Sequence, residues 1–257
     1  MKRAVVSDIH ANLAAFEAVL ADIEKEGVDE VYCLGDVIGY GPDPRGCIKI
    51  ARQFRVNLLG NHEEAVLFGA IGFNPKAKIA IDWTRDQLSL ETEPPEENRE
   101  LWNFIGSLSK EHRDGDFLFV HGSPRDPTRE YIFKQDFKDR KKMDAIFGAP
   151  ADFRWKVAFA GHTHHPGIFA QDRPYVFLDP REVDYRYEYS TAEGRCLINV
   201  GSVGQPRDGD RRASYVIVDD EAVTFRRLEY DVERTLKRFR DCPLLPEYLA
   251  RRLREGK

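Results

Sequence analysis

Cysteine is scarce and scattered in this sequence. Cys33, Cys47, Cys196 and Cys242 are four of 257 residues, with no Cys-x-x-Cys spacing. That excludes a disulfide framework and a thiolate zinc site, and it leads to the expectation of a reduced, cytoplasmic compartment. No apolar run approaches the roughly 20 residues of a membrane span. The opening residues lack the apolar core of a signal peptide, because Val5-Val6 runs into Asp8 almost at once. Positive charge is in deficit: 39 Lys and Arg against 44 Asp and Glu leave a formal charge of -5. Such a balance gives no electrostatic case for a nucleic-acid groove or an anionic membrane surface. It says little against a small phosphate ester, because bound cations would reverse the field locally. Repeats, low-complexity segments and linkers are missing too, so one domain over residues 1–257 is expected. Its 42% hydrophobic and 32% charged residues suit an ordinary globular core.

What the chain does have is five short polar motifs: Asp8-Ile9-His10, Gly35-Asp36, Gly60-Asn61-His62-Glu63, His121-Gly122 and Gly161-His162-Thr163-His164. Each directly follows a short apolar run (4–6, 31–34, 56–59, 117–120, 157–160), and such runs ended by a turn read as buried strands. Carboxylates, an amide and imidazoles at strand ends can converge on one rim of a sheet, where α/β proteins place their sites. Two Asp, one Asn and several His together suit a pair of divalent cations bridged by a carboxylate.

Periodicity sketches the rest. Asn12 is a plausible N-cap for a helix carrying Leu13, Phe16, Leu20 and Ile23, with Gly27 as its stop. A short helix over 44–52 precedes the third strand, giving a βαβαβ start with parallel neighbours. Residues 63–110 read as two or three helices broken near 72–75 and 91–97, with His112 beyond them in a charged, solvent-facing turn. A charged helix is expected over 136–147. Past Gly161 the period becomes two, over 167–170, 175–178, 196–200, 214–218 and 223–228, as for antiparallel strands. The acidic, tyrosine-rich stretch 179–194 reads as a protruding loop or hairpin that shapes the substrate opening or an oligomer contact. A helix over 232–240 and a basic tail over 251–257, its Lys and Arg a solvated helix face, close the chain.

From Ser7-Asp8-Ile9-His10 to Asn199-Val200-Gly201-Ser202-Val203-Gly204-Gln205-Pro206-Arg207, the motif order resembles the calcineurin-like metallophosphoesterase superfamily, particularly its small bacterial and archaeal phosphodiesterases. The resemblance implies an α/β fold: a four-layer αββα sandwich of two mixed β-sheets flanked by helices, with a dinuclear metal site at one sheet edge. It implies that Asp8, His10 and His164 hold one cation, that Asn61, His121 and His162 hold the other, and that Asp36 bridges them. A bridging carboxylate is what two dications about 3.5–4 Å apart require. Such a nitrogen-rich set suits Mn, Fe, Co, Ni or Zn better than Mg or Ca. The implied nucleophile is a metal-bridging hydroxide attacking phosphorus in line. His62 is assigned to the leaving oxygen, and Asn61 and Arg207 to the substrate.

One departure narrows the reading. Protein Ser/Thr phosphatases of the superfamily carry Asp-Arg where this chain has Gly39-Tyr40, which argues against that activity and leaves His62 without an acidic partner unless Asp43 serves. Val200 stands where relatives commonly have proline. Other polar residues have plainer readings: Glu63 and Asn12 as helix caps, Arg211 and Arg212 in a solvated turn, His165 packed or near substrate, Cys33 as a buried apolar group. The expected function is hydrolysis of small phosphate esters, diesters before monoesters. The alternatives are a phosphomonoesterase of the same fold and a non-catalytic protein-interaction scaffold. A nuclease finds no basic groove to support it.

Overall fold

In the computed structural model, which describes residues 1–172 and 174–257, the chain opens β1 (Arg3–Val6), α1 (Leu13–Lys25), β2 (Glu30–Cys33), α2 (Pro44–Ala51) and β3 (Val56–Asn57). These three strands pair in parallel. Helix α1 begins where Asn12 Oδ1 accepts the Ala15 N–H at 3.3 Å. The chain leaves it at Gly27, whose φ of +62° suits a residue without Cβ.

Next come α3 (Asn61–Phe68), α4 (Pro75–Gln87), α5 (Pro95–Gly106), β4 (Glu111–Asp114), β5 (Phe117–Val120), α6 (Arg140–Phe147) and β6 (Val157–Ala160). The last third holds β7 (Gly167–Ala170), β8 (Val176–Leu178), β9 (Arg186–Tyr187), β10 (Cys196–Asn199), β11 (Ala213–Val218), β12 (Val223–Leu228), α7 (Val232–Arg240) and α8 (Glu247–Glu255).

Two six-stranded mixed sheets result, in the orders β3-β2-β1-β11-β12-β9 and β4-β5-β6-β10-β7-β8. Their inner faces meet through Val5, Leu34, Val216 and Phe225 on one side and Phe119, Phe159 and Ile198 on the other. Alternate residues point outward: Ala4 and Val6 pack under α1 and α2, and Leu118, Val120 and Ala158 pack under α6. Strands covered on both faces must be apolar throughout, which explains why β1, β5 and β6 read as continuous runs. The four-layer sandwich expected from the motif order is present.

Four expectations change. Residues 111–114 form the edge strand β4, antiparallel to β5, so His112 sits in a strand with its ring edge-on to Tyr32 at 5.6 Å. The stretch 179–194 does not protrude as a free loop. A 3-10 turn over Pro180–Val183 leads into β9, which extends the first sheet beside β12. Tyr189 is buried there, its hydroxyl donating to the Asp219 carbonyl at 2.6 Å. Finally, α8 reaches into the expected basic tail, burying Leu249 and Leu253 against α7 and the Trp83 face of α4. Also, β10 is not wholly antiparallel: it pairs parallel with β6 and antiparallel with β7.

Helix α1 is tied to the first sheet by Asp22. Its carboxylate accepts from Tyr215 Oη at 2.7 Å and from Arg226 Nε and Nη2 at 2.9 and 2.8 Å. Burial alone would raise its pKa, but the Arg226 and Tyr215 hydrogen bonds hold it below the usual carboxylate value. A depressed carboxylate stabilises fully above its unfolded value of about 4, and the contribution is lost as pH falls through the native value. Asp22→Ala should destabilise the protein by about 2 kcal/mol at neutral pH. Urea titration should find the wild-type advantage shrinking at pH 3, and an unchanged midpoint at pH 7 would refute the tie.

Candidate metal centre

Asp8 follows β1, Asp36 follows β2, Asn61 opens α3, His121 follows β5, and His162 and His164 follow β6. Both sheets therefore deliver their site residues to one edge, and the structure brings all seven expected ligands together there. Asp8, His10 and His164 form one group, and Asp36, His121 and His162 another. His164 Nε2 lies 3.1 Å from Asp8 Oδ1 and 3.1 Å from His10 Nε2. His121 Nε2 lies 3.4 Å from Asp36 Oδ2, 3.0 Å from His162 Nδ1 and 3.0 Å from Asn61 Oδ1. Asp36 also comes within 3.7 Å of His10 Nε2, so its carboxylate touches both groups. His62 belongs with His10 and Asp36 in a third set of close ligand atoms.

Tautomers decide what these short distances mean. His10 Nδ1 lies 3.1 Å from the Ile38 carbonyl, His164 Nδ1 2.5 Å from that of Gln205, and His162 Nε2 3.2 Å from that of Arg129. A nitrogen facing a carbonyl must carry the proton, so the opposite nitrogen presents a lone pair. His10 and His164 then aim two lone pairs at each other beside a carboxylate oxygen. Asp8 Oδ1 is buried and receives no hydrogen bond among the described residues, because His164 has already given its proton to Gln205. Acceptors crowded this way repel unless a cation lies among them. The donor set fits divalent transition metals: imidazole nitrogens, carboxylate oxygens and one amide oxygen, with the outward nitrogens of His10, His162 and His164 anchored by carbonyls and that of His121 without a partner among the described residues.

Electrostatics favour neutral rings at His10 and His162 and a protonated one at His121, whose proton a cation would have to displace. Burial and the neighbouring His62 and His164 push His10 well below its ordinary value. Burial and the charge on His121 lower His162 to about 3. Burial would lower His121 too, but the Asp36 carboxylate outweighs it and raises that ring to about 9. Asp36 itself is held well below the carboxylate range, as His121 and His62 overcome the burial penalty.

The backbone is strained here. Asp8, His10, Asp36, His162 and His164 all have positive φ, between 48° and 64°. Non-glycine residues in that region each cost on the order of 1 kcal/mol or more and persist only where the surroundings hold them. The holding bonds are present. Asp8 N donates to the Gly35 carbonyl at 3.0 Å, His10 N to the Asp36 carbonyl at 2.9 Å, and His162 N to Asp8 Oδ2 at 2.9 Å. At Gly161 a Cβ would fall 2.1 Å from Ser7 Oγ and 2.4 Å from Asp8 Oδ2, so no other residue fits the approach.

Several residues that hold the site were not among those expected to act there. Asn199 donates to the Gly161 carbonyl at 2.7 Å and to Thr163 Oγ1 at 2.9 Å, fixing the His162–His164 turn. Ser202 Oγ donates to the Asp8 carbonyl at 2.8 Å and accepts from Gln205 N at 2.8 Å. Tyr131 stacks on His162, ring centroids 3.7 Å apart. Asn199 and Ser202 lie in the last motif of the resemblance, which gives them no role, and Tyr131 has no signature in the chain. Glu63 does more than cap α3: its carboxylate accepts from Asp36 N at 2.8 Å, Gly60 N at 3.0 Å and Ile38 N at 3.1 Å. Burial and the adjacent Asp36 push its pKa up to about 7.

His62 is buried between Tyr40 and Phe73, with ring centroids at 4.4 and 5.2 Å. Its Nδ1 has no partner among the described residues, and burial lowers its pKa to about 4. Asp43 is engaged elsewhere, accepting from Arg238 Nε at 2.9 Å. Arg207 stands at the rim, its guanidinium held by Gln205 Oε1 at 2.8 Å and lying 5.8 Å from the Tyr40 ring. Arg211 and Arg212 pair with Glu229 and Asp210 instead. His165 turns its Nδ1 to the Thr163 carbonyl at 2.8 Å. Cys33 is a buried thiol beneath the site, its pKa pushed up by burial.

Removing the Glu63 carboxylate should leave three buried N–H groups without an acceptor. Glu63→Ala is expected to cost about 3 kcal/mol in urea unfolding, against a small effect for Glu64→Ala on the same helix. Equal losses in the two variants would contradict the bracing role.

Comparison with known proteins accords with this geometry. Residues 1–222 match the calcineurin-like phosphoesterase superfamily domain. An uncharacterised protein of Methanocaldococcus jannaschii is 32% identical over 265 residues, covering 99% of this chain and 98% of its own length. The crystal structure of a metallophosphoesterase from Sphaerobacter thermophilus is 38% identical, covers 100% of both chains and superposes with a TM-score of 0.81. A hypothetical protein of Pyrococcus horikoshii shares the fold, at 19% identity and a TM-score of 0.74 over 100% of this chain and 98% of its own. With its acceptor-lined sheet edge and these relatives over nearly its whole length, the chain belongs to the calcineurin-like phosphoesterase superfamily.

Proposed function

We propose that this protein is a cytoplasmic hydrolase of small phosphate esters, diesters in preference to monoesters, formed by one domain spanning the chain. The observation that carries this reading is the meeting of lone pairs at His10, His164 and Asp8, with Asp36 reaching both ligand groups. Asp8, His10 and His164 would hold one divalent ion, Asn61, His121 and His162 a second, and Asp36 both; Mn, Fe, Co, Ni and Zn suit the set. Bound there, the ions would activate water at neutral pH and neutralise charge on the phosphoryl oxygens.

The chain's own residues supply orientation and the leaving-group contact. His62 stands in one group of close ligand atoms with His10 and Asp36, and its imidazole is the group proposed to hydrogen-bond the departing ester oxygen. Arg207, oriented by Gln205, presents a guanidinium fork suited to a phosphate oxygen. Asn61 stands at the same edge to share a ligand role and a substrate contact. The acidic formal charge of -5 is no obstacle, since bound cations would reverse the local sign. A hydrolase rather than a scaffold is favoured because the ligand set and His62 are both complete.

Metal analysis of protein reconstituted with manganese or zinc should find about two ions per chain, and Asp36→Asn should lower that to one or fewer. Chelation should abolish turnover of an aryl phosphodiester, and the released monoester should carry one oxygen from solvent. Side-by-side rates on aryl mono- and diesters measure the preference. His62→Ala should lower kcat by about 10²–10⁴ with metal content unchanged; a variant as fast as wild type would remove the assigned role.

A further inference from the structure

Helices α7 and α8 fall outside residues 1–222, which match the family domain, yet they reach the metal centre at two points. Tyr40 is the first. Its ring lies 4.7 Å from that of His10 and 4.4 Å from that of His62, and it packs on the cluster that holds Leu249 and Leu253. The second is the turn that ends α8. Gly256 is buried between the exposed Glu255 and Lys257, and its carbonyl accepts the Gly209 N–H at 2.9 Å. Gly209 belongs to the loop that carries Arg207. Over residues 206–211 the backbone makes one further hydrogen bond among the described residues, from Arg207 N to the His164 carbonyl at 3.3 Å. Asp208 adds an ion pair with Arg227.

The approach of α8 to this loop is closer than capping a helix requires. Gly256 takes the left-handed conformation common at helix ends, with φ of +63° and its N–H on the Arg252 carbonyl. A Cβ there would also fall 2.7 Å from Asp210 C, 2.8 Å from Asp210 N and 2.9 Å from Arg211 N, all backbone atoms. Gly27 makes the contrast. It ends α1 at φ of +62°, and a Cβ on it would meet nothing within 4 Å. Bare backbone at Gly256 is therefore what lets the two segments touch. The support behind it is firm: Leu249 and Leu253 are buried with Trp83 and Leu236, and Arg254 pairs with Glu233 at 2.9 Å. Arg252 lies one turn before Gly256, and burial and the charge of Arg207 lower its pKa, in keeping with α8 standing beside Arg207.

We propose that Gly256 is a positioning residue for substrate binding: from the end of α8 it pins the loop of Arg207, so that the guanidinium stands ready for a phosphate oxygen. The proposal rests on the hydrolase reading for what Arg207 binds, and on the contacts of Gly256 for the pin itself. Such preorganisation shows in affinity, because a loop and a long side chain ordered only on binding subtract from it.

The probe is diphenylphosphinate, a phosphodiester mimic in which carbon replaces both ester oxygens, titrated by calorimetry into the metal-loaded protein. Arg207→Gln should weaken its binding about tenfold or more, through loss of a charge-assisted hydrogen bond. Gly256→Ala should weaken it about three- to tenfold, and Gly27→Ala, with the same backbone strain and no neighbour, by less than about twofold. In the Arg207→Gln background, Gly256→Ala should add less than about twofold, since a residue acting through Arg207 has nothing left to act on. Amide exchange gives a reading without ligand: the Gly209 N–H should exchange faster in Gly256→Ala and at the wild-type rate in Gly27→Ala. Undiminished affinity in Gly256→Ala or in Arg207→Gln, equal losses in the two alanine variants, or a full further loss over Arg207→Gln would each overturn the proposal. So would Gly209 exchange that Gly256→Ala leaves unchanged. Wild-type protein that binds no phosphinate, yet shows the expected exchange pattern, would remove the hydrolase reading and uphold the pin.

Discussion

Lone pairs aimed at one another are the constraint from which the rest of this molecule follows. Three imidazoles are locked by backbone carbonyls into tautomers that turn their acceptor nitrogens inward, beside two carboxylates. In water such an arrangement would spread apart. Here it cannot, because each acceptor is mounted on a strand end of a sheet buried on both faces. The protein stores electrostatic repulsion and backbone strain at one edge; a bound cation would relieve the first, and the sandwich resists the second.

The supports are shared rather than separate. Glu63 braces the turn carrying Asp36 from the side of α3, and Ser202 braces the turn carrying Asp8 from beyond β10. Asp8 in turn holds the His162 turn by accepting its N–H. Each of these turns belongs to a different part of the chain, so the site is rigid only when all are in place. Nearly every member is buried, and in a low dielectric each hydrogen bond is strong and each unmade one expensive.

Much of this was legible in the sequence, for a physical reason. A strand buried on both faces is apolar throughout, so Ala4 to Val6 or Val157 to Ala160 stands out, and any polar motif directly after it falls at the sheet edge. That placed Asp8, Asp36, Asn61, His121, His162 and His164 near one rim. Other features left no such trace. Strand β4 reads Glu-His-Arg-Asp and is extended only because β5 pairs with it. Helix α8 buries just Leu249 and Leu253 among arginines, too thin a stripe to separate from a solvated tail. The tyrosines of 179–194 looked like a surface loop because their cover, β12, comes later in the chain. Positive φ at ordinary residues is imposed from outside the local sequence, and the clamps at Asn199 and Ser202 act on residues far away along it.

The position of β1 has a consequence for how the molecule comes into being. It lies between β2 and β11, with Val5 opposite Val216 in the second pairing. The turn it carries is closed by Ser202 and by the His162 loop. During synthesis the first strand therefore waits, half paired, for most of the polypeptide to emerge. Until then Asp8 and His10 have no partners to crowd them and no reason to seize a passing ion. Any cation this edge takes up would thus bind late in the life of the chain, after the two sheets have docked.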